Sequence, residues 1–126
     1  MNRKRTIDFI AFSAVIITLA AFFIAGAFKK PPYAEYNDGV YIGEAKGYRK
    51  HLKAEVTLEK GYITNIQIIE HYEKGKEHYE APISLLPPAI IKAQSPDVDA
   101  ISGSTLTSNG IMDAVHDALE QAKKRL

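Results

Sequence analysis

From Phe9 to Phe28 the chain runs through 20 residues without a charge, and only Ser13 and Thr18 among them carry polar side chains. At a rise of about 1.5 Å per residue, such a segment made helical crosses a hydrocarbon layer of roughly 30 Å. A core helix in a small domain keeps one polar face, whereas this segment is apolar on every side. It is therefore read as a transmembrane helix. The rival is a cleaved signal peptide, because Arg3, Lys4 and Arg5 form a basic leader and Ala25-Gly26-Ala27 is a small-residue cleavage site. The run exceeds the usual signal-peptide core of about 7–15 residues, and cleavage there would leave bulky Phe28 at the new terminus, so an uncleaved anchor is expected. Three basic residues precede the span and Lys29 and Lys30 follow it. The bias places the N-terminus in the cytoplasm and the rest outside a cell membrane crossed once.

This leaves three expected parts: an anchor over 1–30, a spacer over 31–37 containing Pro31-Pro32, and a folded domain over 38–126. There is no cysteine. A lipoprotein anchor, thiolate-bound iron–sulfur clusters and c-type haem attachment are excluded, and a small extracytoplasmic domain must rely on its core in place of disulfides. After Phe28 there are 13 Lys and Arg against 14 Asp and Glu, so nothing points to nucleic acid as a partner.

The spacing of apolar residues predicts an α+β fold, a small antiparallel sheet packed with C-terminal helices behind the N-terminal transmembrane helix. Val40–Ala45 is rich in strand formers, and Leu52, Ala54, Val56 and Leu58 alternate with Lys53, Glu55, Thr57 and Glu59. Glu59-Lys60-Gly61 is a hairpin turn, returning through Tyr62–Tyr72. Glu73–Glu80 is charged and without period, and reads as a mobile loop. Ile83–Gln94 is helical in pattern, although Pro87-Pro88 must break it or open a second helix. In the last helix, expected from about Thr107 to Lys124, Ile111, Ala114, Val115, Ala118, Leu119 and Ala122 fall on one face, and Lys123, Lys124 and Arg125 lie near its negative end.

Just before that helix, Ser102, Ser104, Thr105, Thr107 and Ser108 place five hydroxyls within seven residues around Gly103. Such a segment at the positive end of a helix dipole suits a phosphate. The plainer reading is a helix start, with Thr107 or Ser108 as N-cap and the rest a polar loop. No Lys follows the glycine, so an ATP or GTP loop is not indicated.

Asp99-x-x-Ser102-Gly103-Ser104-Thr105-x-Thr107-Ser108 closely resembles the flavinylation motif of the FMN-binding domain family. That family includes the flavin subunits of the sodium-pumping NADH:quinone reductase and the related Rnf complex, and small proteins of extracellular electron transfer. The likeness extends over Asp38-Gly39-x-Tyr41-x-Gly43-x-Ala45-x-Gly47-Tyr48, the Val56–Ile69 hairpin, Glu70-His71 and Ile90–Asp99, and so over most of the chain after the spacer.

The resemblance implies FMN held covalently through its phosphate on Thr105, with Asp99, Ser102, Gly103, Ser104 and Thr107 forming the motif around it. It also implies a flavin transferase and a membrane electron-transport donor as partners, beside the lipid bilayer expected from the apolar run, and an electron carrier that need not be an enzyme by itself. Two departures stand out: Ser104 replaces the usual Ala, and Lys74-Gly75-Lys76 stands where many members carry Thr-Pro after a Glu-His-x-Glu stretch.

His71 can lie by the flavin ring and move a proton, or simply face solvent at a strand end. Tyr41, Tyr48 and Tyr72 can stack on a flavin, although aromatics in strands more often join the core. His51, His78 and His116 share no spacing that suggests a metal site. The rival functions are a non-redox surface module that binds a phosphate or glycan, and a small FMN-dependent reductase.

Overall fold

Alternation in the second strand carries through to the tertiary structure. In the computed structural model, which describes residues 30–124, Leu52, Ala54, Val56 and Leu58 are all buried, while Lys53, Glu55 and Thr57 point to the opposite, wetter face. Three antiparallel strands, β1 (Gly39–Lys46), β2 (His51–Glu59) and β3 (Tyr62–Glu70), form a sheet in the order β1-β2-β3. Two helices, α1 (Lys76–Ala93) and α2 (Thr105–Ala122), complete the domain. The apolar run Phe9–Phe28, Arg3, Lys4, Arg5, Lys29 and Arg125 lie outside the described residues. Among the described residues no helix is long and apolar enough to cross a membrane.

The core lies between one face of the sheet and the helices, where Val56, Leu58 and Ile63 meet Leu86 and Ile90 of α1 and Ile111 and Val115 of α2. All six residues expected on the inner face of the last helix are buried. The helix sits directly on the β1 backbone because small residues line the contact. A Cβ at Gly43 would stand 1.8 Å from the Ala114 carbonyl oxygen and 2.6 Å from the Ala118 nitrogen.

On each free sheet edge side chains from a helix or its end take up two backbone groups, which shortens the open stretch that could invite another strand. On β1, Asp117 accepts from the Glu44 amide at 2.9 Å and Gln121 donates to the Ile42 carbonyl at 2.8 Å. On β3, the Gln94 amide both accepts from Ile63 N–H and donates to Ile63 C=O, each at 2.8 Å. Gln94 ends α1 in the left-handed conformation, φ 51° and ψ 42°. The Tyr33 hydroxyl donates to the Gln94 carbonyl at 3.1 Å, and burial, with Tyr36 and Asp97 adding, pushes its pKa up to about 12.

Several elements differ from the sequence reading. Of Glu73–Glu80 only Glu73–Gly75 is a loop, since α1 begins at Lys76, after Gly75 turns the chain at φ 75°. Nor do the prolines break that helix: Pro82, Pro87 and Pro88 all lie inside it. A proline inside a helix costs about 3 kcal/mol, through the lost backbone bond and the clash of its ring with the preceding turn, and burial of the large apolar side chains of this helix, at about 1.5–3 kcal/mol each, offsets that cost. Pro82, Leu86 and Ile90, four apart, bury one continuous face, and tertiary packing outweighs local preference.

The segment read as a spacer belongs to the packed unit, which begins at Pro31. Tyr33 is 8% exposed, its amide bonds to the Gly61 carbonyl at 2.9 Å, and the Asn37 amide bonds to the Ala122 carbonyl at 2.8 Å. Of the tyrosines expected in the core, Tyr41 packs against it, but Tyr48 and Tyr72 are 52% and 43% exposed. Tyr72 instead donates to Glu70 at 2.8 Å, a bond that raises its own pKa and lowers that of Glu70.

Candidate functional site

The last helix starts two residues earlier than expected, and this shift assigns the hydroxyls. Ser104 is the N-cap residue, without a side-chain cap bond, and Thr105 is the first helical residue. Neither Thr107 nor Ser108 caps the helix. The Thr107 hydroxyl donates to the Glu73 carboxylate at 2.6 Å, and Ser108 Oγ accepts from the Ile101 amide at 3.0 Å. Ser104, Thr107 and Ser108 are 8%, 4% and 0% exposed, whereas Ser102 and Thr105 are open to solvent. The first backbone bond of the helix runs from Ser108 N–H to the Ser104 carbonyl at 2.9 Å. The amides of Thr105, Leu106 and Thr107 are thus the donors that a helix start leaves without intrahelical partners, at the positive end of its dipole.

Thr105 lies in a cleft of about 660 Å³ whose walls come from three segments: Tyr48 and Arg49 after β1, Lys74, Gly75 and His78 at the start of α1, and Gly103–Thr107. Neither Arg49 nor Lys74 has an ion pair among the described residues. His78 Nε2 is 3.6 Å from Glu77 Oε1. Two cations and a helix N-terminus therefore share one cleft with the half-exposed rings and methyls of Tyr48 and Leu106. Such a set suits a ligand with an anionic end and a flat apolar body.

Four of the expected site residues, Gly103, Ser104, Thr105 and Thr107, line this cleft, and Asp99, Ser102 and His71 do not. Asp99 and Ser102 are exposed. His71 stacks at a tilt on Tyr79, ring centroids 5.0 Å apart, and its Nδ1 accepts from the Glu73 amide at 3.3 Å. Arg49, Lys74, His78, Leu106 and, beneath the cleft, Glu73 escaped the sequence reading. Glu73 had a signal as the second Glu of Glu70-His71-Tyr72-Glu73, and Lys74 stood out in the Lys74-Gly75-Lys76 departure; the others are surface residues that folding alone brings together.

Fold and cleft define a small α+β module with a cleft suited to an anionic ligand. The model of the FMN-binding domain matches residues 47–120, and the chain belongs to that family. An uncharacterized protein of Treponema pallidum (strain Nichols) is 35% identical over 88 residues, covering 70% of this chain and 24% of the relative. The NADH:acrylate oxidoreductase of Vibrio harveyi is 25% identical over 88 residues, covering 70% of this chain and 9% of that enzyme. The chain thus spans a quarter or less of either relative. A Clostridium perfringens protein known from its crystal structure shares the fold, with a TM-score of 0.56, 23% identity, and coverage of 69% of this chain and 88% of the other.

Proposed function

We propose that this chain is a membrane-anchored, extracytoplasmic electron carrier holding FMN as a phosphoester on Thr105. One observation carries the reading: Thr105 is the exposed hydroxyl in the cleft, on a helix N-terminus and beside Arg49 and Lys74, while the hydroxyl of Thr107 is already engaged. The cleft volume of about 660 Å³ falls within the range of roughly 300–1,000 Å³ common for small-molecule sites.

In the attachment step, Thr105 Oγ1 bonds to the flavin phosphorus. The phosphoanhydride bond of an activated donor, such as flavin adenine dinucleotide, breaks, and the nucleotide leaves as its monophosphate while the hydroxyl proton passes to solvent. Arg49, Lys74 and the helix amides offset the charge of the phosphate, and Tyr48 and Leu106 provide apolar surface. FMN supplies the redox chemistry when bound. Covalent attachment suits a domain outside the cell, because a non-covalent site of nanomolar affinity, about 12 kcal/mol at 1 M standard state, empties once free FMN is diluted far below that concentration.

The purified chain, coexpressed with a flavin transferase, is expected to gain the mass of FMN less one water and to be reduced and reoxidised reversibly, with negligible NADH oxidation when alone. Rapid NADH turnover by the domain alone would favour a reductase. Absence of any adduct beside a competent transferase would favour the non-redox binding module.

The anchor rests on the Phe9–Phe28 run and the basic residues before it. Single cysteines at Lys60 and Lys123 are expected to react with a membrane-impermeant thiol reagent on intact cells, and one at Asn2 is not. The reverse pattern would sink this orientation.

A further inference from the structure

The three walls of the cleft come from distant parts of the chain, and one side chain joins them. Glu73 immediately precedes Lys74 and so belongs to the second wall by its backbone. Its carboxylate accepts from the Tyr48 amide of the first wall, at 2.9 Å to Oε1 and 3.1 Å to Oε2. Oε2 also accepts from the Thr107 hydroxyl of the third wall at 2.6 Å. The residue is 8% exposed. A Cβ at Gly47 would stand 1.9 Å from Glu73 Oε1, so the turn after β1 closes directly on the carboxylate. Burying a carboxylate is costly unless its oxygens are filled, and bonds to an ionised acceptor are roughly twice as strong as neutral ones. Such a group imposes one arrangement on what it joins.

We propose that Glu73 is a positioning residue for flavin attachment, holding the three walls so that Thr105 and the cations Arg49 and Lys74 meet the same phosphate. This rests on the reading of Thr105 as the FMN acceptor. At 8% exposure, Glu73 offers little surface to a docking transferase. Its influence falls on the geometry of the reacting groups, where a displacement of about 1 Å can cost on the order of 100-fold in rate. Loss of Glu73 therefore lowers kcat for flavin transfer and leaves KM for the chain unchanged. A substitution that only reduced the folded fraction would move neither constant once rates are expressed per folded molecule.

The test uses the full chain in detergent, a flavin transferase and flavin adenine dinucleotide, with the folded fraction measured by circular dichroism. Glu73→Ala is expected to lower kcat at least tenfold with KM within threefold. Glu73→Gln, whose amide can still accept from Tyr48 N–H and donate to the Thr107 oxygen, is expected to recover at least threefold over Ala. The double variant Glu73→Ala/Thr107→Val is expected to be no slower than Glu73→Ala, since Glu73→Ala already cuts the tie to Thr107. A kcat for Glu73→Ala within twofold of wild type, a change in KM alone, or multiplying effects in the double variant would overturn the proposal. Should Glu73→Ala not fold, Thr107→Val replaces it, with a threefold or greater loss of kcat expected and a loss under twofold overturning.

Hydrogen exchange on the unloaded chain gives a readout that needs no flavin. The Tyr48 amide is expected to exchange at least tenfold faster in Glu73→Ala, which removes its acceptor, than in wild type, and unchanged protection overturns the tie. Wild type that never accepts flavin refutes the Thr105 reading, and the exchange result then judges Glu73 separately.

Discussion

Thr105→Ala is expected to abolish covalent flavin in a chain coexpressed with a flavin transferase, while leaving the domain folded. The Thr105 side chain is exposed and no hydrogen bond ties it to the rest of the described domain, so its loss should change stability by less than about 0.5 kcal/mol. The hydroxyls nearest to it cannot readily substitute. Thr107 donates to a buried carboxylate, Ser108 accepts from the Ile101 amide, and Ser104 is 8% exposed. Intact-mass spectrometry should show one added FMN less a water on wild type and none on Thr105→Ala, and fragmentation should place the adduct on Thr105. A flavin ester on Ser102, Ser104 or Thr107, or one retained in Thr105→Ala, would refute the assignment. Thr107→Ala is a different experiment from the loss of a helix cap. It leaves the Glu73 carboxylate without one of its donors, at a cost of about 1–3 kcal/mol.

The largest effect on stability is expected at Gly43. Gly43 sits in β1 without a positive φ, so the cost does not come from the backbone conformation. It comes from the approach of α2, whose Ala114 oxygen and Ala118 nitrogen would lie 1.8 Å and 2.6 Å from the new Cβ. Both are backbone atoms and cannot swing aside as a side chain can. Relief requires lifting the helix off β1, which loosens the bonds from Asp117 to Glu44 and from Gln121 to Ile42 and opens the packing of Ala114, Val115 and Ala118. Gly43→Ala is expected to cost about 3 kcal/mol or more, the upper end for an overpacked core, with a fall in Tm on the order of 10–20 °C for a domain of this size. Thermal unfolding followed by circular dichroism would measure it. A loss below about 1 kcal/mol would mean that the helix is not held against the strand in this way.

What could be read from the chain beforehand followed a simple physical division. The period of two in Leu52–Leu58 and the spacing from Ile111 to Ala122 report burial of one face, and each is a property of neighbouring residues alone. Both faces are therefore buried as expected, although the last helix starts two residues early. The path of α1 did not, because Pro87-Pro88 and the charges of Glu73–Glu80 carry strong local signals against a helix, while the compensation comes from Leu86 and Ile90 packing across the core. The tyrosines misled for the same reason. Tyr33, in a proline-rich segment that read as a spacer, is buried, and Tyr48, which read as core, stands at the cleft.

The sequence by itself determined the family, through a motif whose residues are contiguous from Asp99 to Ser108, and with it the cofactor class and the candidate acceptor Thr105. It also determined the antiparallel hairpin and the inner face of the last helix. Only the tertiary structure decided which hydroxyls are free and which are bound, because that depends on Glu73, 34 residues before Thr107. The tertiary structure likewise decided which charges share the cleft. Arg49, Lys74 and the start of α2 have no common local pattern, and their proximity exists only once the sheet, the helices and the buried carboxylate between them are assembled.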